Sequence, residues 1–124
     1  MLADGIEARL IGAEAALRAG TPGPAFATLN ALRATKGLAP LTDPGSEAAR
    51  ADLLFRERAF WMWGTSHRLG DMRRLVRQYG RAQDTVFPTG EYHKGGEYGS
   101  DVNFPVSSDE RNNPKFTGCI DRSA

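Results

Sequence analysis

Up to Gly80 the apolar residues recur at helical spacing. Leu2, Ile6, Leu10, Ala13 and Leu17 follow one another at intervals of three or four and make one stripe. Glu14 and Arg18 sit one turn apart on the polar side, in the favourable order. Gly20-Thr21-Pro22-Gly23-Pro24 stops this helix and starts a second, whose stripe is Phe26, Leu29 and Leu32 and whose end is Gly37. A turn at Pro40-Leu41-Thr42-Asp43-Pro44-Gly45 leads to Ser46, which predicts the cap of a third helix running to about Trp63. That helix is amphipathic at first and apolar all round at its end, Ala59-Phe60-Trp61-Met62-Trp63, so its end should be covered on several sides. Gly64 stops it, and Thr65 or Ser66 can cap a fourth helix with the inner stripe Leu69, Met72, Leu75, Val76 and Tyr79.

Beyond Gly80 the pattern changes. Six glycines and three prolines between Gly80 and Ala124 break any long helix, yet Val86, Phe87, Tyr92, Tyr98, Val102, Phe104, Val106 and Phe116 are more apolar bulk than a solvated linker uses. Val102-Asn103-Phe104-Pro105-Val106 alternates like a strand, and Pro105 would confine it to an edge. The expected fold is therefore mainly α. Residues 1–80 form two antiparallel helix pairs, and a loop-rich tail with short extended segments, 81–124, packs on them. The first pair, with its small residues Ala13, Ala16 and Ala25, resembles a tetratricopeptide-type hairpin without a second copy.

Composition narrows the function classes. The 124 residues carry 16 Lys or Arg against 15 Asp or Glu, a net charge of +1, so no global charge calls for nucleic acid or an anionic membrane. Hydrophobic residues at 40% suit a globular chain, and a single cysteine forms no internal disulfide. No apolar run approaches the ~20 residues of a spanning helix, and Met1-Leu2-Ala3-Asp4 has no signal-peptide pattern.

The candidate chemistry is sparse. Arg68, Arg73, Arg74, Arg77 and Arg81 surround one acid, Asp71; without interleaved aromatics, this is a solvated face with internal pairs such as Asp71 with Arg74 rather than a nucleic-acid site. His67 and Asp71 could share a helix face, but no HExxH or CxxC completes a zinc site, so a histidine oriented by a carboxylate is expected. Glu57 and Arg58 are expected to be buried, paired charges that fix helix packing. Glu91, His93, Glu97 and Asp101 match no calcium loop, Gly95-Gly96-Glu97-Tyr98-Gly99 is no phosphate loop, and Cys119 has no neighbouring base. These residues support no enzyme and no cofactor. Aromatics can stack on the apolar faces of sugar rings. Trp61 and Trp63 are better placed for packing, which leaves Tyr92 and Tyr98, in a polar glycine-rich loop, as weak ligand-binding candidates.

The run Leu54-Phe55-Arg56-Glu57-Arg58-Ala59-Phe60-Trp61-Met62-Trp63-Gly64-Thr65-Ser66-His67-Arg68-Leu69-Gly70-Asp71-Met72-Arg73-Arg74 resembles the C-terminal signature of RagB/SusD proteins, an E-R helix followed by G-x-R-x-x-D-L-R-R. Phe104-Pro105-Val106-Ser107-Ser108-Asp109-Glu110-Arg111-Asn112-Asn113-Pro114 resembles the family's F-P-I-P-x-x-E-x-x-x-N-P, and Leu29-Asn30-Ala31-Leu32-Arg33 its L-N-x-L-R helix. Ala59, Met62, Gly70 and Ser107 depart from the usual residues. The resemblance implies a non-catalytic protein that binds glycans or other oligomeric nutrients at the outward face of the cell outer membrane. It would deliver them to a TonB-dependent, SusC-like transporter. It implies tetratricopeptide-like helix pairs and a structural role for Glu57, Arg58, Gly64, His67, Arg68, Asp71 and Arg73. Family members are several times longer, so a C-terminal fragment is expected, with the lipid anchor in the absent N-terminal part, a possible upstream partner for Cys119, and an exposed apolar patch. The alternative is a stand-alone helical protein-interaction module.

Overall fold

The computed structural model describes residues 5–104 and 106–118. Leu2, Pro105 and Cys119, each given a role above, lie outside the described residues. Among the described residues six helices are formed: α1 (Gly5–Arg18), α2 (Pro22–Ala34), α3 (Glu47–Trp61), α4 (Arg68–Tyr79), α5 (Gln83–Val86) and α6 (Ser108–Arg111). The chain is mainly helical, and among the described residues the only β pairing is an isolated antiparallel bridge between Glu91 and Glu97. Two compact units divide it, Met1–Arg68 and Leu69–Ala124. The composition changes at Gly80, but packing groups α4 with the loop-rich segment.

In the first unit, α1 packs on α2 and α3. Leu10 and Ala13 of α1 meet Ala25, Leu29 and Leu32 of α2 and Leu54 of α3, with Met62 closing the cluster. The alanines let the helices approach closely, and burial of the leucines drives the association. Gly20, at φ +72°, permits the tight reversal between α1 and α2, which Thr21 closes by donating both its N–H and its hydroxyl to the Ala16 carbonyl at 2.9 Å. Asn30 anchors the next connection: its Nδ2 donates to the Leu41 carbonyl (3.1 Å) and its Oδ1 accepts from the Leu41 N–H (2.7 Å). Ser46 caps α3 by accepting from the Ala49 N–H.

Three expectations change here. Glu14 is buried rather than on a solvated face. The third helix stops at Trp61, with Met62 as its cap and Gly64 at φ +73°, so its aromatic end splays apart. Met62 turns into the core and Trp61 is half-buried, whereas Phe60 is 72% and Trp63 87% exposed. The cover expected for Trp63 is not provided by the described residues.

In the second unit, Met72 and Leu75 are the buried apolar positions of α4, flanked by half-buried Leu69, Val76 and Tyr79, as its stripe predicts. Residues 101–104 form no strand: Val102 is 1% exposed and Phe104 81%, although a strand would put both on one face. Near the end of the chain, Ser107 Oγ accepts from the Glu110 N–H, and Asn113 Oδ1 accepts from the Lys115 N–H at 3.0 Å across Pro114. The E-x-x-N-P pattern is thus a short helix closed by an Asx turn.

Candidate functional site

The residues singled out by their chemistry fall into two places in the helical unit and two in the loop-rich unit. In the helical unit, Glu57 is 3% exposed and lies between two donors. Arg33 Nη1 donates to its Oε1 at 2.8 Å and Trp61 Nε1 to its Oε2 at 3.3 Å, while Arg33 Nε donates to the Ala39 carbonyl at 2.6 Å. A buried carboxylate is tolerable only when its oxygens are met in this way. The partner of Glu57 is therefore Arg33 of α2, and Arg58, its sequence neighbour, is buried separately. Arg33 closes the L-N-x-L-R block and Glu57 opens the E-R block, so two sequence blocks 24 residues apart meet in one ion pair.

His67 lies just before α4. Its Nε2 is 3.0 Å from Glu7 Oε1 of α1, and its Nδ1 is 2.8 Å from Thr65 Oγ1. The Thr65 hydroxyl donates its proton to the Met62 carbonyl, so it can only accept from Nδ1. The carboxylate that orients His67 is thus Glu7, sixty residues away, and not Asp71. Thr65 serves this contact and the end of α3 instead of capping α4, and Ser66 holds the turn at φ +65°.

In the loop-rich unit, Asp71 is buried and accepts from Arg74 Nη1 at 3.4 Å, the pair expected from spacing. Arg73 Nη1 donates to the Val102 carbonyl at 3.4 Å, tying α4 to the segment after the glycine-rich loop. Arg68 is exposed.

The glycine-rich loop folds back on itself. The Tyr98 N–H donates to the Gly90 carbonyl (2.9 Å), the Tyr92 N–H to Gly96 (2.7 Å) and the Gly95 N–H to Tyr92 (2.8 Å). Gly95 and Gly96, at φ +93° and +86°, make the reversal possible. It brings Tyr92 and Tyr98 edge to face, ring centroids 5.2 Å apart at 78°, with the His93 ring centroid 4.4 Å from that of Tyr92. Gln83 Nε2 of α5 donates to the Ser100 carbonyl at 3.1 Å and closes the loop's far end. Between α5, the Phe87–Thr89 turn and the Tyr98–Asn103 segment lies an open cleft of about 660 Å³. Tyr98 forms part of its wall; Tyr92 stands behind and braces that ring. Phe87, Asp84 and Asn103, which no motif marks, line the same cleft, as does Asp101 of the acidic cluster in the glycine-rich loop.

Among the described residues, no group of three or more His, Cys, Asp or Glu is placed to hold a metal ion, and no helix is long and apolar enough to cross a membrane. In comparisons with known proteins, no family model, curated protein or solved structure matches the chain.

Proposed function

We propose that this is a RagB/SusD-like nutrient-binding protein. It binds glycans or other oligomeric nutrients without making or breaking bonds. As a lipoprotein at the outward face of the cell outer membrane, it hands them to a TonB-dependent, SusC-like transporter. The observation that supports this reading is the Arg33–Glu57 pair at 2.8 Å: it joins two of the three sequence blocks that carry the resemblance, inside a packed helical scaffold. Glu57, His67 and Asp71 are each taken up by such internal contacts, which fits structural rather than catalytic roles for them.

The test is co-purification of the full-length product of this reading frame with a TonB-dependent transporter from outer membranes, together with binding to an array of neutral glycans. Recovery of the transporter and retention of a glycan are expected. Absence of both from a folded protein overturns the reading. The second reading, a helical protein-interaction module, is favoured by the exposure of Phe60 and Trp63, because large aromatics exposed at and just past the end of α3 suit a protein partner. A transporter-free complex that is lost on Trp63→Ala and Phe60→Ala would put this second reading first.

A further inference from the structure

We propose that the cleft of the loop-rich unit is a binding site for one neutral, polyhydroxylated ring of a carbohydrate, with Tyr98 as its stacking wall and Asn103 as its hydrogen-bonding selector. This deepens the nutrient-binding reading and rests on its non-catalytic part; it does not need the transporter. The volume, about 660 Å³, falls within the roughly 300–1,000 Å³ usual for small-molecule sites.

The lining decides the ligand class. Tyr98 and Phe87 offer ring surface, and Tyr98 is held edge-on by Tyr92, so it meets a ligand as a braced wall rather than a free side chain. Such a surface suits the C–H face of a sugar ring. Asp84 and Asp101 line the same cleft and repel a carboxylate or phosphate. Asn103 argues against a simple cation. Its Nδ2 is shut off from solvent and has no hydrogen-bond partner among the described residues, a costly state for an amide. Rotation of the side chain toward the cleft would offer that N–H₂ to a ligand, but only a ligand with an acceptor oxygen can use it. An ammonium or metal ion has none. A hydroxyl satisfies both demands, accepting from Asn103 and donating to the Asp84 carboxylate. A ring with an apolar face and hydroxyls at its edge meets the whole lining.

The experiment uses the full chain, labelled with ¹⁵N, titrated to millimolar concentrations with a panel of neutral methyl hexosides, pentosides and disaccharides. Tetramethylammonium chloride and sodium phosphate are the charged probes. The expected result is saturable amide shifts confined to residues 83–103 with at least one neutral sugar and with neither charged probe. Tyr98→Ala should weaken that binding at least about tenfold, Tyr98→Phe less than about threefold, and Asn103→Asp, which keeps the shape and removes the donor, about tenfold. Retained, dispersed amide signals across residues 69–103 show that each variant keeps the loop-rich unit folded. No saturable shift with any neutral sugar overturns the inference. So do shifts outside 83–103, equal saturation by a charged probe, or an unaltered affinity in folded Tyr98→Ala. Sugar binding here without transporter association leaves this site standing and removes the transporter reading; the reverse result removes the site alone.

Discussion

The two units are held by different physics. In Met1–Arg68, leucines from three helices close an apolar cluster, and the buried carboxylate of Glu57 is met on both oxygens. In Leu69–Ala124, burial is confined among the described residues to Met72, Leu75 and Val102 with the carboxylate of Asp71, and the glycine-rich loop is built from backbone hydrogen bonds across positive-φ glycines. A unit stabilised by apolar area resists opening as a whole, whereas one stabilised by turn hydrogen bonds can yield locally. The cleft belongs to the second kind, as binding loops commonly do.

Substitutions can break that contrast. The largest effect is expected from Leu29→Ala, which opens a cavity where the three helices meet and should cost about 2–5 kcal/mol in denaturant unfolding, with loss of amide protection throughout α1–α3. Val102→Ala removes the most buried side chain of the loop-rich unit; about 1.5–3 kcal/mol is expected, seen as faster amide exchange in 90–103 with the helices unaffected. An equal loss of protection in α1–α3 would show that the units unfold together and end the contrast. Glu57→Gln keeps the shape and removes the charge facing Arg33, which retains 19% exposure and some hydration; about 1–3 kcal/mol follows, with a shift in Trp61 fluorescence. Gly96→Ala meets no atom within 4 Å but must hold φ +86°, so its cost is about 1–2 kcal/mol of backbone strain, read as exchange limited to the loop.

The smallest effect concerns Asp43. Arg50 donates to both its oxygens at 2.7 and 2.9 Å, and this, with the Gly45 N–H, lowers its carboxyl below the ordinary 3.8. Because the folded value is lowered, the contribution is present at neutral pH and is lost as pH falls below 3.8 and through the folded value. Asp43 lies at the surface with Arg50 half-buried beside it, so solvent screens the pair, and Asp43→Asn should leave the melting temperature at pH 7 almost unchanged and slightly flatten its decline in acid. A large drop at pH 7 would contradict that assignment.

Much of the helical unit is legible in the residues. The leucine and alanine stripes, the Ser46 cap and the stops at Gly20, Gly37 and Gly64 act within one or two turns, and the helices form where these signals stand. The Asp71–Arg74 pair is equally local. The loop-rich unit is less so. Val102-Asn103-Phe104 alternates, yet without a neighbouring strand its backbone groups have no ladder to join, and Val102 is claimed by packing instead. Of the cleft, Tyr98 was visible as an aromatic in a polar loop. Phe87, Asp84 and Asn103 carried no signal, because their common cleft exists only after the loop has folded back.

The sequence by itself determined the four longer helices, the Ser46 cap and the glycine stops, since periodicity and capping are short-range properties. It also determined that Glu57 would need partners, because a carboxylate on an apolar helix face cannot stay bare. Only the tertiary structure decided who those partners are. Arg33 reaches Glu57 across 24 residues and Glu7 reaches His67 across 60, and it is packing that leaves Trp63 in solvent while Met62 turns inward. Such choices depend on which helix faces meet, and spacing along the chain does not contain that information.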